Sequence, residues 1–64
     1  MYIVRSLIGT IVGEEKTMYN LCEVLAYAKR DCINRGKYEK ARLYDKARLE
    51  ITGEMRRIDR LKQD

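Results

Sequence analysis

The stretch KYEKARLYDKARLEITGEMRRIDRLK, residues 37–62, decides the fold of this 64-residue chain. Its apolar residues recur every three or four positions, which places them on one face of an α-helix and excludes a strand. This apolar face consists of Ala41, Tyr44, Ala47, Ile51, Met55, Ile58 and Leu61. Because the face continues in phase across Gly53, we predict one helix with a weak point at that glycine rather than two helices.

Acidic residues precede basic residues by three positions at four places in this helix. Each such pair is expected to stabilise the helix by about 0.2–0.5 kcal/mol. The predicted pairs are Glu39 with Arg42, Asp45 with Arg48, Glu54 with Arg57, and Asp59 with Lys62.

A second helix is predicted over residues 14–35. Its apolar face has regular heptad spacing, with members at Met18, Leu21, Leu25, Ala28 and Cys32, widened by Cys22, Val24 and Ile33. Tyr19 and Tyr27 should flank this face as boundary tyrosines with wet hydroxyls. Gly36 is the expected helix stop, in the left-handed conformation. So short a connection predicts a mainly α fold, an antiparallel αα-hairpin in which the two apolar faces meet.

Residues 1–13 allow two interpretations. Their apolar residues fall as pairs four positions apart, which is a helical spacing, and we prefer a short helix. The residue types, rich in Ile, Val and Thr and interrupted by Gly9, instead favour a strand. A lone strand leaves backbone groups unpaired, so the strand interpretation requires pairing with a second copy in a dimer. In either case this segment should cover the helical hairpin.

The length predicts one small domain over residues 1–64, with Gln63 and Asp64 as a frayed tail. A core of this size leaves little margin of stability, so a partner or a second copy is expected. Cys22 and Cys32 lie about 15 Å apart on one helix, too far for a disulfide, which indicates a reducing compartment. The apolar run at the start contains Arg5 and is too short to span a bilayer. We therefore expect a cytoplasmic protein without a membrane segment.

The residue inventory argues against an enzyme. The chain has no His and a single Ser, Ser6, so Ser/His and Cys/His catalytic arrangements are excluded. A zinc site would need carboxylates to join the two cysteines, which is an uncommon ligand set. No glycine-rich phosphate loop is present. We therefore predict no catalytic residues, no metal site and no cofactor.

A basic stripe lies opposite the apolar face of residues 37–62. Its members follow gaps of four and three and are Arg42, Lys46, Leu49, Gly53, Arg56 and Arg60. The segment holds nine basic and five acidic residues, so 9 − 5 gives the whole net charge of +4. The stripe is a solvated face, a contact for an acidic groove on a protein, or a contact for nucleic-acid phosphates. Leu49 at its centre favours the protein contact, and Tyr38 lies near the same edge.

The run from Gly36 to Ala47 resembles two helical hairpin motifs. Tyr38, Glu39, Ala41 and Asp45 are similar to the UVR motif, while Gly36, Tyr38, Ala41, Tyr44 and Ala47 are similar to a tetratricopeptide repeat. The chain is one residue short between Ala41 and Asp45, which rotates the second half by about 100° relative to either family. Both motifs serve protein contacts, and UVR motifs occur in excision-repair proteins and in Clp-type ATPases and their regulators. The resemblance thus implies a Clp-type ATPase as one partner.

These observations predict a small, non-enzymatic adaptor or inhibitor that binds a larger protein. Short chains of this kind are common in phages and mobile elements. The predicted partner-binding residues are Tyr38, Arg42, Lys46, Leu49, Arg56 and Arg60. One alternative is a nucleic-acid-binding helical dimer that presents two basic stripes. Another is a structural subunit that assembles with itself through residues 1–13.

Overall fold

The computed structural model describes residues 1–62 and contains two strands followed by two helices. The strands are β1 (Tyr2–Ser6) and β2 (Gly9–Gly13), and the helices are α1 (Glu15–Asn34) and α2 (Tyr38–Lys62). The helices pack as a hairpin, which confirms the predicted mainly α fold and both predicted helices to within a residue at each end. The prediction for Gln63 and Asp64 lies outside the described residues.

The turn between the helices is a Schellman motif, which confirms the predicted stop at Gly36. Gly36 has φ of 75°, a conformation that costs glycine little because it has no Cβ. The Lys37 N–H donates to the Cys32 carbonyl at 2.7 Å, and the Gly36 N–H donates to the Ile33 carbonyl at 3.1 Å. These bonds satisfy carbonyls at the end of α1 and turn the chain back along that helix.

The two predicted apolar faces supply most of the core. Every buried helical residue belongs to one of them, namely Met18, Leu25, Cys32, Ala41, Ala47, Ile51 and Met55. Leu21, Cys22, Tyr44 and Ile58 are partly buried against the same cluster. The apolar spacing therefore identified the correct side of both helices.

Three residues assigned to these faces are exposed instead. Leu61 is 67% exposed, one residue before the described end of α2, and Val24 is 60% exposed. Val24 is rotated about 100° from buried Leu25, which carries it away from α2. Ile33 is the third, with 43% of its surface exposed. The predicted widening of the α1 face therefore holds only for Cys22.

The preferred helix over residues 1–13 is wrong. The residue types correctly favoured strand, but the strands pair with each other, so a second copy is not required to pair them. The segment forms an antiparallel β-hairpin within one chain, in which Ile3 lies opposite Val12 and Val4 opposite Ile11. The turn falls at Leu7 and Ile8, midway along the segment. Apolar pairs four apart therefore arise from strand, turn and strand, and they imitate a helical period. The predicted covering of the helices is confirmed, because β1 packs mainly on α2.

A glycine with positive φ closes this β-hairpin. Gly9 has φ of 119°, and among residues 1–62 only glycines have a positive φ. Ser6 pairs directly with Gly9, so Leu7 and Ile8 form a two-residue turn. The Ser6 hydroxyl donates to the Gly9 carbonyl at 2.9 Å, and the Leu7 N–H donates to the Glu50 carboxylate at 3.0 Å. The turn is thereby fixed to α2.

Tyr2 fastens the other end of the β-hairpin to α2. Its hydroxyl donates to the Asp59 carboxylate at 2.6 Å, and the Lys62 ammonium lies 5.2 Å from the ring centroid. The predicted ion pair between Asp59 and Lys62 does not form, since both side chains engage Tyr2. The bond to Asp59 raises the pKa of Tyr2 to about 12.

Replacing Gly53 with alanine should stabilise the protein, whereas the same change at Gly9 should destabilise it. A Cβ at either position meets no atom within 4 Å, so only the backbone conformation distinguishes them. Gly53→Ala should raise the unfolding free energy by about 1 kcal/mol. Gly9→Ala should lower it by about 1–3 kcal/mol because of the positive φ. Urea denaturation of both variants measures this, and a destabilised Gly53→Ala would show that α2 is not regular there.

The raised pKa of Tyr2 predicts a loss of stability at high pH. Because neutral Tyr2 donates to Asp59, its stabilising effect is fully present below the unfolded pKa of 10.0 and disappears as pH rises toward about 12. Ultraviolet titration should show one of the five tyrosines ionising last. Tyr2→Phe should remove that component and leave the others unchanged. Persistence of a late component in the variant would assign it to another tyrosine.

Candidate protein-binding surface

The basic stripe is exposed along its whole length. Its six positions lie on the side of α2 opposite buried Ala47, Ile51 and Met55. Leu49, at the centre, is 56% exposed. Arg42 and Lys46 are one turn apart, as are Arg56 and Arg60, and about 15 Å of helix separates the two pairs. The structure thus places the predicted stripe residues on one continuous surface.

Two acids near the stripe are engaged elsewhere. The Asp45 carboxylate accepts hydrogen bonds from Arg48 at 2.9 Å and from Lys29 of α1 at 3.0 Å. These two bonds lower the pKa of Asp45 and link the helices. Glu50 turns to the β-hairpin, where it accepts the Leu7 N–H. Neither carboxylate is directed at the stripe.

The other acids of α2 also form no ion pair with the cations of the stripe in the described part of the chain. The Glu54 carboxylate pairs with Arg57 at 2.9 Å, which lowers the pKa of Glu54, and Asp59 accepts the Tyr2 hydroxyl. Two of the four predicted pairs therefore form, while Glu39 makes no ion pair with Arg42. Among residues 1–62, none of the stripe's four cations lies within 4.0 Å of a carboxylate. Their positive charge is available to a partner.

Aromatic and apolar side chains from both helices lie beside the stripe. Ile33 and Tyr38 line a shallow cleft with Arg42, and Tyr38 is itself exposed. Tyr19 lines a second cleft with Arg56 and is also exposed. The sequence placed Tyr38 beside the stripe but missed Tyr19 and Ile33 there. Their contribution depends on how α1 packs against α2, which spacing within one helix does not reveal.

The described residues show no arrangement for metal binding. Within residues 1–62, no three Cys, Asp or Glu side chains lie close enough to hold a metal ion. Cys22 and Cys32 are free thiols, and burial raises the pKa of Cys22. A raised pKa keeps that thiol protonated and unreactive. No helix in the described part of the chain has the length and apolar character needed to cross a membrane.

Comparisons with family models, curated proteins and solved structures each gave no match to this chain. The resemblance of residues 36–47 to UVR and tetratricopeptide hairpins therefore stays a prediction.

Like charges within the stripe should weaken α2. Arg42 and Lys46 are i,i+4 neighbours, as are Arg56 and Arg60, and each such pair costs about 0.2–0.5 kcal/mol. The double variant Arg42→Gln with Arg56→Gln removes one member of each pair. At low salt, we expect its free energy of unfolding to be about 0.4–1 kcal/mol higher than that of the wild type. The difference should shrink as salt is added.

Arg48→Gln is the matched control, because Arg48 pairs with Asp45 at 2.9 Å. This control should lose stability where the stripe variant gains it. Urea denaturation at two ionic strengths compares the three proteins. A stripe variant that is less stable than the wild type would mean that Arg42 or Arg56 makes a stabilising contact.

Proposed function

We propose that this chain is a non-enzymatic protein-binding module that acts as an adaptor or inhibitor of a larger protein. The observation that supports the proposal is the exposed stripe around Leu49, whose four cations form no ion pair within residues 1–62. Every acid of α2 except Glu39 is engaged by a group outside the stripe. Such a surface complements an acidic groove or an acidic helix.

Apolar contacts along the stripe support a protein as the partner. Leu49 lies between the two cation pairs, and Tyr38 and Tyr19 lie toward the ends. From Tyr38 to Arg56 the surface extends about 27 Å along α2. Exposed tyrosines, arginines and a central apolar residue are the composition of interface cores. We expect a partner with acidic residues on either side of an apolar one.

Nucleic acid is the second candidate, supported by the same unpaired cations. Phosphates on one strand of DNA recur about every 3.4 Å along the helix axis, so a phosphate-tracking face needs closely spaced cations. The gap of about 15 Å between Lys46 and Arg56 holds Leu49 and Gly53 instead. This interruption favours the protein partner.

Two narrower hypotheses accompany the proposal. The similarity of residues 36–47 to UVR motifs supports a Clp-type ATPase as one partner, and phage-encoded inhibitors are the class that the short chain resembles. The free thiols of Cys22 and Cys32 support action in the reducing cytoplasm.

Partner capture from an extract of the source cells, with nuclease present, tests the proposal. Lys46→Glu with Arg56→Glu should abolish capture of a protein while leaving helicity unchanged. The matched control is Lys16→Glu with Arg30→Glu, which alters the net charge equally on exposed positions of α1. This control should retain capture, because its substitutions lie off the stripe.

Leu49→Gln separates the two classes of partner. It should weaken a protein contact, whereas binding to nucleic acid should persist and fall steeply with added salt. Retention of the same protein by the Lys46→Glu and Arg56→Glu variant would remove the stripe from the contact. Recovery of nucleic acid alone, lost on digestion, would replace the protein partner with phosphates.

A further inference from the structure

The chain exposes more surface than its mass requires. Its accessible surface is 5077 Å². A folded monomer of 7.6 kDa is expected to expose about 4,300 Å², which leaves an excess of about 800 Å². The excess comes from the elongated shape, 45 × 17 × 17 Å, with a radius of gyration of 12.7 Å against about 11 Å expected. An interface of standard size buries about 800 Å² on each partner.

Several large apolar side chains of the β-hairpin are exposed. Ile3 and Val12 lie directly opposite each other and are 58% and 53% exposed. Leu7 and Ile8 occupy the turn, where polar residues and glycine are usual, and both are about half exposed. Leu7 and Ile8 also border a groove with three residues of α2, namely Lys40, Leu43 and Tyr44. Exposed apolar side chains therefore lie on the strands, at the turn and on α2.

The β-hairpin is also incomplete as a sheet. It has two strands in the described residues, so each strand has one edge of unpaired backbone groups. A two-stranded sheet is marginal without further strands or packing, and exposed edges are where another chain adds. Arg5 is the only charged residue from Tyr2 to Gly13, so charge does little to block such an approach.

We propose that a second copy of this chain binds the outer side of the β-hairpin about a two-fold axis. A self-contact through the basic stripe would oppose four cations to four cations. The β-hairpin side is mostly apolar and carries Arg5 on β1 and Lys40 beside the groove, so an identical side meets less repulsion there than at the stripe. The resulting dimer carries its two basic stripes on the outside. This inference is independent of the proposed function of the stripe.

Sedimentation analysis of the intact chain tests the dimer. At about 100 µM the wild type should have twice the mass of 7.6 kDa and dissociate on dilution. Ile3→Thr with Val12→Thr keeps β-branched residues in the strands and should weaken association at least about tenfold. Val24→Thr, at an exposed apolar position of α1, is the matched control and should leave the mass unchanged.

Hydrogen exchange on the wild type gives a measurement that needs no variant. Protection of amides in residues 2–13 should increase with protein concentration, while protection of residues 20–30 on α1 should not. A wild type that stays at 7.6 kDa throughout would overturn the proposal, and the apolar side would then await a different partner. A dimer lost in Val24→Thr but kept in the threonine pair would also overturn it.

Discussion

The structure depends on the contact among Val4, Met18 and Ile51, the three largest fully buried side chains. Val4 comes from the β-hairpin, Met18 from α1 and Ile51 from α2, so one cluster joins all three parts of the chain. No pair of elements covers these side chains without the third. In a chain of this size, removing the β-hairpin would expose apolar surface on both helices at once, and the margin of stability is too small to absorb that. The N-terminal segment is therefore structural as well as exposed.

This core also fixes the orientation of α2, and with it the basic stripe. Since Ala47, Ile51 and Met55 are buried, the helical period places Lys46, Leu49 and Gly53 on the far side. Two acids of α2 are directed toward the β-hairpin, because the Glu50 carboxylate accepts the Leu7 N–H and the Asp59 carboxylate accepts the Tyr2 hydroxyl. The β-hairpin thus acts on the stripe without touching it. It binds the Glu50 and Asp59 carboxylates, which are then not directed at the cations of the stripe.

The features that depend on residue spacing within one helix could be predicted from the sequence. The features that depend on strand pairing and on helix packing could not. Both helices, the stop at Gly36 and the exposed stripe follow from a period of 3.6 and a glycine cap. Residues 1–13 did not, because a β-hairpin with its turn at Leu7 and Ile8 repeats every four residues as a helix does. Gly9 was a signal for the turn, and its positive φ explains why. Tyr19 and Ile33 entered the candidate surface only through the packing of two helices, which no single period describes.

The surface of this chain has charges that form ion pairs and, along the stripe, like charges that lie next to each other. Where charge supports the fold, it is paired, as in the Asp45 carboxylate between Lys29 and Arg48. Along the stripe, like charges one turn apart oppose the helix that carries them, and Gly53 weakens it further. A helix shaped by stability alone would carry glutamate and alanine at such positions. The unfavourable charges coincide with the exposed Leu49, so the contact with an acidic partner that we propose would account for the charges and the leucine together.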